Sequence, residues 1–290
     1  GYDASHPVIL MSQDDTRDTF LNIPYEGKML SSTTSTVTSQ LTTLISSGVD
    51  EDDLYSILGL NKADLPADFS FADFNPFTLA ADAPAALKTA ANKTEEVSQQ
   101  LKTILQLVQS SATGAGVTTD EAFASALKAV VAKLQAGDAS ILTDEAALAD
   151  IVQAVADDIA TSNPDAAAKI AATKSAVAAS AKLINDDFAD LDLETIDVDA
   201  IAKSSSAVDA VSSSLKTKVE TTDVADLGEE LEKLDVEAAK QNSAPTDIVL
   251  SQDGSAVIGA VNVAEGSLVV GILSTTDADA NDTHSYSLSG

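Results

Sequence analysis

Apolar residues recur at helical spacing from about residue 34 to residue 240, and this periodicity stops near Asn242. The clearest stretch follows Pro84 and continues to about Ser110. Apolar side chains at every third or fourth position are typical of amphipathic helices. Because the inner positions are rich in Ala and other small residues, close-packed helices are favoured. The sequence therefore predicts a mainly α fold, an Ala-rich antiparallel helical bundle over 34–240.

Capping residues mark several helix boundaries in this region. Thr118 is followed three positions later by a glutamate, the spacing of a capping box. Thr143 is suited to cap the next helix, and Asn163 followed by Pro164 is a strong helix start. The run Thr113–Gly116 predicts a break after the helix that begins near Pro84.

The end of this region has weaker signals. Two helices are expected, over Asp199–Glu220 and Asp223–Lys240. The mixed Ala, Ser, Thr and Asp composition around 186–240 leaves partial disorder as an alternative.

Aromatic residues are scarce and unevenly placed. They make up only 4% of the chain, yet four of the seven Phe residues lie between Leu65 and Phe77. In a chain with so few large side chains, we expect this segment to fill the main core. The alternative is a ligand-binding aromatic patch. The residues concerned are Phe69, Phe71, Phe74 and Phe77.

Charge and composition exclude several classes of function. Lys and Arg number 16 and Asp and Glu number 46, so the net charge is −30. An acidic surface argues against binding to nucleic acid or to an anionic membrane. The chain has no Cys, which excludes disulfides and thiolate metal sites. No stretch reaches the ~18 apolar residues that predict a membrane-spanning helix, so no direct membrane insertion is expected.

Both flanks of the helical region have β-type patterns. Residues 1–33 contain short apolar runs bounded by Pro and Asp, and we interpret them as the end of a β element. Residues 241–290 contain apolar runs separated by Gly and Asp. The chain stops within this second pattern, so we expect the first half of a β domain there, with 34–240 as the helical domain between the two.

Acidic residues in the last segment suit a hard cation. Asp277 and Asp279 are two positions apart in a loop between predicted strands, and Glu265 lies one strand earlier. Asn242 supplies an amide oxygen where this domain begins. Ca²⁺ prefers six to eight oxygen ligands, several of them carboxylates. The alternative is a solvated Asp-rich loop.

The same segment resembles the opening of cadherin-like repeats in large bacterial surface proteins and RTX-type adhesins. The chain contains, in order, NSAPTD, NVAEGS, VVGILSTTDADAND and HSYSL. The resemblance covers about 49 of the 290 residues. It implies an incomplete, calcium-stiffened β-sandwich, with Glu265, Asp277 and Asp279 as ligands and Asn242 as a weaker ligand from the linker. Asn281 stands where the family pattern has Gly, which weakens the implied site.

A second, softer resemblance covers roughly residues 20–80. The runs GKMLSSTTSTVTSQLTTLISSGVDEDDLYSILGL and LPADFSFADFNPF are similar to an Ala-rich helical module that accompanies such repeats in large exported proteins. Together the two resemblances imply an extracellular location at a bacterial cell surface. The partners they imply are neighbouring repeats of the same polypeptide and a cell-surface or matrix ligand.

Catalytic patterns are lacking in the sequence. His6 and His284 are the only histidines, and neither belongs to a zinc-binding pair. No nucleophile elbow or phosphate-binding glycine loop is present. Clustered acids such as Asp186 and Asp187 are interpreted as a solvated helix end rather than glycosidase carboxylates. We expect a structural or adhesive segment that is not an enzyme, with a carbohydrate- or protein-binding helical module that uses the Phe69–Phe77 loop as the alternative.

Overall fold

Helices make up most of the part of the chain that the structure describes, which confirms the predicted mainly helical character. The structure is a computed structural model. It describes residues 9–11, 28–189, 192, 194, 198–241, 247–252, 255–256 and 272–276.

The described helices span residues 40 to 241 and differ widely in length. They are α1 (Gln40–Ser46), α2 (Glu51–Ile57), α3 (Ala85–Gly114), α4 (Thr119–Gln135), α5 (Glu145–Ile159), α6 (Pro164–Asn185), α7 (Val198–Thr221), α8 (Val224–Leu231) and α9 (Val236–Gln241). Short 3-10 turns occur at Lys62–Asp64, Pro76–Thr78, Ala139–Leu142 and Asp186–Phe188.

Local capping accounts for several of these boundaries. The Asn163 side chain accepts a hydrogen bond from Ala166 N at 3.1 Å, and α6 begins at Pro164, as predicted. The Thr118 hydroxyl likewise accepts from Glu121 N at 3.3 Å. The predicted cap at Thr143 was wrong by one residue, because the Asp144 carboxylate accepts from the third amide of α5.

Two other boundaries differ from the sequence prediction. Helix α3 continues through Gly114, and the chain turns only at Gly116, whose φ is +93°. The segment predicted as one helix over Asp223–Lys240 forms two, α8 and α9. Asp235 separates them, since its carboxylate accepts a hydrogen bond from Ala238 N and starts a new helix.

Successive long helices from α3 to α7 run in alternating directions. Short connections reverse the chain between α3 and α4 and between α5 and α6. Lys133 of α4 bonds to Asp150 of α5, while Ser125, earlier in α4, bonds to Asp158, later in α5. The contacting residue numbers increase along α4 while they decrease along α5, so the two helices are antiparallel.

The pairing of α3 with α7 departs from the antiparallel arrangement. Gln106 of α3 bonds to Asp209 of α7, and Gly114 lies against Lys216, so α7 runs in the same direction as α3. By contrast, α6 runs opposite to α3. Five alternating helices inevitably give the first and the fifth the same direction, and here these two are neighbours.

Helix α3 is buried on most of its surface. It contacts α1, α4, α6 and α7, and Leu101 and Leu107, which are about 120° apart around the helix, are both 0% exposed. The buried apolar residues of α1 to α9 form one cluster that includes Phe71, as the sequence predicted for that residue. The helical region therefore has a single continuous core around α3.

The described β strands lie on either side of the helices in the sequence. Strand β1 (Ile9–Met11) pairs antiparallel with β2 (Leu30–Ser32). Strands β3 (Asp247–Gln252), β4 (Ser255–Ala256) and β5 (Ile272–Thr276) form a sheet in the order β4-β3-β5, with antiparallel pairs. The remainder of the predicted sandwich lies outside the described residues.

A helix that crosses a bilayer needs about 20 mainly apolar residues. Within the helical region that the structure describes, no helix meets this requirement.

Gly114 allows the backbones of α3 and α7 to approach closely. A Cβ atom at this position would lie 2.6 Å from the carbonyl oxygen of Lys216. Because that oxygen belongs to the α7 backbone, it cannot rotate away. We expect Gly114→Ala to lower the free energy of unfolding by about 1–3 kcal/mol, measured by urea denaturation.

Gly228 is the matched control, because it is also helical and has no neighbouring atom within 4 Å of a Cβ position. Gly228→Ala should be neutral or stabilising by up to about 1 kcal/mol, since alanine has the higher helix propensity. Unchanged stability of Gly114→Ala would contradict the close approach of the two helices.

Candidate functional site

The four predicted calcium ligands fall in parts of the chain that the structure leaves undescribed. Asn242, Glu265, Asp277 and Asp279 all lie outside the described residues, so their role stays a prediction. Within the described residues, no group of three or more His, Asp or Glu side chains could hold a metal ion.

The described sheet next to these positions has a defined register. Asp247, the first residue of β3, pairs with Thr276, the last residue of β5. Asn242 precedes β3 by five positions, and Asp277 directly follows β5. The start of β3 and the end of β5 therefore lie at the same end of the sheet.

The aromatic loop after α2 packs onto that helix. The ring centroid of Phe71 lies 5.0 Å from that of Tyr55 and 5.1 Å from that of Phe69, and the Phe69 and Phe74 centroids are 4.8 Å apart. Phe71 is 1% exposed, whereas Phe69 and Phe74 are half-buried. Tilted and edge-on rings at these distances attract one another beyond simple burial.

Polar contacts hold the middle of the same loop. One Glu51 carboxylate oxygen accepts hydrogen bonds from Phe71 N at 2.5 Å and from the Ser70 hydroxyl at 2.8 Å. Asp73 accepts from the backbone and the hydroxyl of Thr36, ahead of α1. These bonds fix the loop against α2, and most of its aromatic surface is used internally.

Tyr55 lies between the aromatic cluster and a group of charged side chains. The Lys62 ammonium lies 5.3 Å from the centre of the Tyr55 ring. Burial, followed by the nearby Glu51 carboxylate, raises the pKa of the Tyr55 hydroxyl. A hydrogen bond to Asp52 raises the pKa of Lys62. Both groups therefore keep their protons at neutral pH.

Phe77 differs from the other three Phe residues of the loop. It lies in the 3-10 turn Pro76–Thr78 and is 37% exposed. Of the predicted aromatic patch, this ring has the largest exposed fraction, so any contact surface in this loop centres on it.

An open apolar groove of about 640 Å³ follows one side of α4. Its floor is the ridge Phe123, Leu127 and Val131, one residue per helical turn. Lys28 and Asp120 form an ion pair at one rim. The complete lining is Lys28, Leu30, Ser47, Asp120, Phe123, Ala124, Leu127, Lys128, Val131, Ala132 and Gln135.

The sequence alone did not distinguish this ridge from the core-facing stripe of α4. In the sequence, α4 carries one apolar set, Phe123, Leu127, Val130, Val131 and Leu134. All of them belong to the core cluster, but Val130 and Leu134 are 0% exposed, whereas Phe123 and Val131 retain 7% exposure and also line the groove. In the sequence, the groove is indicated by an apolar stripe on α4 that is wider than a single row of side chains. A wide stripe is equally expected for a helix with a broad core contact.

The acidic cluster that follows α6 is engaged by lysines. Asp186 accepts a hydrogen bond from Lys182 at 2.5 Å, and Asp187 accepts from Lys240 at 2.9 Å. Asp187 thereby connects the end of α6 to the end of α9.

Comparison of the chain with protein-family models, curated proteins and solved structures found no match.

Substitution of single Phe residues by Ala distinguishes rings of the aromatic loop that fill the core from rings that lie at the surface. We expect Phe71→Ala to lower the free energy of unfolding by about 3–5 kcal/mol, because it leaves a cavity at a buried site. Phe77→Ala should lower it by about 1 kcal/mol or less, as is usual for a substitution near the surface. Urea denaturation monitored by circular dichroism measures both changes, and equal losses would contradict this division.

A second prediction concerns the charged contact between α4 and α5. Hydrogen bonds from Lys128 and then from Ser125 lower the pKa of Asp158. A carboxyl whose folded pKa lies below its unfolded value, about 3.9, stabilises the fold above that value and loses this effect as the pH falls through the folded pKa. Asp158→Asn should therefore lower stability by about 1 kcal/mol at pH 7, a small value because the pair is partly exposed.

The measurement is urea denaturation of Asp158→Asn and the unsubstituted chain across the acid range. The difference between them should decrease as the pH falls through the folded pKa of Asp158, because protonation removes the charge. Asp157→Asn is the control, since it removes the same charge from the neighbouring exposed position. A difference for Asp158→Asn that is independent of pH would contradict the ionic origin.

Proposed function

We propose that this chain is a non-catalytic, structural and adhesive segment of a secreted or cell-surface bacterial protein. Its C-terminal part is the first half of a cadherin-like sandwich that Ca²⁺ stabilises, and its Ala-rich helical bundle is a spacer or partner-binding unit. The partners are the neighbouring repeats of the same polypeptide and a surface or matrix ligand.

The register of β3 with β5 is the observation that carries this proposal. Asp247 pairs with Thr276, so the strand that follows the linker and the strand that precedes Asp277 share one end of the sheet. An inter-repeat calcium site requires ligands from the linker and from such loops at the same end. The positions of Asn242 before β3 and of Asp277 and Asp279 after β5 in the sequence support their assignment as ligands.

Charge also supports a cation in this region. No Lys or Arg follows Lys240, so the carboxylates of the last segment have no basic partner from that segment. Neighbouring carboxylates repel one another, and a divalent cation relieves this repulsion. The acids concerned are Asp247, Asp253, Glu265, Asp277, Asp279 and Asp282.

The helical region suits a spacer because its last helix is attached to its core. The Lys240–Asp187 ion pair holds α9 against the turn after α6, and Lys240 is only 19% exposed. Val236 of α9 belongs to the core cluster. The linker at Asn242 begins one residue after α9 ends, so α9 connects the sheet to the helical region.

The alternative is a carbohydrate- or protein-binding helical module that uses the Phe69–Phe77 loop. Its support is the 37% exposure of Phe77. The burial of Phe71 reduces the available aromatic surface to Phe77 and the exposed parts of Phe69 and Phe74. Loss of glycan or cell binding in Phe77→Ala, with unchanged unfolding, would favour this alternative.

Calcium dependence tests the leading proposal. The test polypeptide contains the whole chain and holds residues 241–290 within a complete sandwich of about 100 residues. We expect millimolar Ca²⁺ to raise its melting temperature, because a ligand that binds only the folded state stabilises it by about 2.7 kcal/mol at 100 times its dissociation constant. Differential scanning calorimetry with and without Ca²⁺ measures this shift.

The double variant Asp277→Asn/Asp279→Asn should lose the calcium response. The control variant Asp157→Asn/Asp165→Asn changes the net charge equally at exposed positions of the helical region, and it should keep the response. Absence of any calcium effect on the unsubstituted polypeptide would refute the metal site.

A further inference from the structure

Helix α7 contributes Ile201, Val208, Val211, Leu215 and Val219 to the core, and its contact with α3 also includes small and polar residues. Asp209 bonds to Gln106 of α3 at 2.6 Å, and Val219 lies 3.0 Å from the position of a Cβ at Gly114. Ser205 and Ser212 precede Val219 by whole heptads, so they share this face. They are 1% and 5% exposed. We call this contact, formed by Gln106 and Gly114 of α3 and by Ser205, Asp209, Ser212 and Val219 of α7, the α3–α7 seam.

Several polar atoms in the seam have no hydrogen-bond partner among the described residues. They are Gln106 Oε1, Ser205 Oγ and Ser212 Oγ. A buried polar atom without a partner costs about 1–3 kcal/mol relative to its solvated state. The seam thus combines close packing with polar groups that would gain hydrogen bonds from water if the helices separated.

The contact between α3 and α6 has direct hydrogen bonds between buried side chains, although the Asn185 Oδ1 atom there also lacks a partner among the described residues. The Ser111 and Thr173 hydroxyls bond to each other at 2.7 Å, although both residues are fully buried. At the other end of α6, the Asn185 amide donates to the carbonyl oxygen of Leu142 at 2.6 Å. Separation of α6 from the core would break these bonds in addition to exposing apolar surface.

Charged contacts hold α7 and α9 at their edges. Lys169 of α6 donates to the carbonyl oxygen of Val219 at 2.8 Å, and Lys240 bonds to Asp187 at 2.9 Å. The Lys240–Asp187 contact is a partly exposed ion pair, and such pairs typically contribute less than about 1 kcal/mol. The Lys169 contact is a hydrogen bond to a backbone carbonyl near the end of α7.

We propose that α7–α9 is a separate cooperative unit, which opens from α3 and α6 before the rest of the helical region unfolds. Its opening restores hydration to the unpartnered polar atoms of the seam and leaves the hydrogen-bonded α3–α6 contact intact. Because α9 leads directly to the linker before β3, tension on the sheet acts on this unit first. Its use as an extensible element of a surface stalk rests on the proposed function, whereas the opening itself does not.

Native-state hydrogen exchange of the 290-residue chain, without calcium, tests the opening. We expect the amides of α7–α9 to exchange through one opening event with a lower free energy, and a smaller urea dependence, than the amides of α4–α6. A common free energy and a common urea dependence for all of these helices would show a single cooperative unit and overturn the proposal. Because no calcium is present, the result is independent of the metal site.

Substitution of two pairs of serines in α7 tests whether the buried hydroxyls of the seam cause the opening. Ser205→Ala/Ser212→Ala removes the buried hydroxyls of the seam, and we expect exchange in α7–α9 to slow about tenfold relative to the control. The control, Ser213→Ala/Ser214→Ala, makes the same substitutions at exposed positions of the same helix and contributes equal helix propensity. Equal slowing by the two pairs would overturn the assignment of the opening to the polar seam.

Discussion

Burial of α3 among α1, α4, α6 and α7 is the constraint on which the helical region depends. A 30-residue helix with neighbours on most sides must carry apolar or small residues around its circumference. Leu101 and Leu107 satisfy this by filling the core, and Gly114 satisfies it by leaving room for the α7 backbone. Since Ala-rich helices bury little area each, stability depends on this shared central helix rather than on any one pair.

Ion pairs lie mainly at the surface around this core. The chain has a net charge of −30, and several of its lysines bond to acids on neighbouring helices. Lys128 with Asp158 and Lys133 with Asp150 connect α4 to α5, while Lys240 with Asp187 connects α9 to the turn after α6. Each pair orients two elements and relieves local repulsion among acids, although exposed pairs contribute modestly to stability.

The presence of most helices was predictable because the sequence patterns that favour a helix are local. Asn163 and Pro164 start α6 wherever the helix lies in space, since the cap involves only adjacent residues. Thr143 failed as a cap because an aspartate follows it, and local rules allow either residue to begin α5. The aromatic loop was predicted as core filling, and Phe71 fulfils this role, but the 37% exposure of Phe77 depends on how the loop folds over α2. The calcium ligands stay a prediction from sequence.

The sequence by itself determined that the chain is mainly helical and where most of its helices begin, because periodicity and capping depend on near neighbours. Its acid-rich, Lys-free last segment likewise follows from composition. Only the tertiary structure decided that α7 runs parallel to α3, that Gly114 is a contact point, and that one ridge of α4 lines a groove in addition to packing in the core. These features depend on contacts between residues about 100 positions apart, such as Gln106 with Asp209, and no local pattern encodes which distant helix a face will meet.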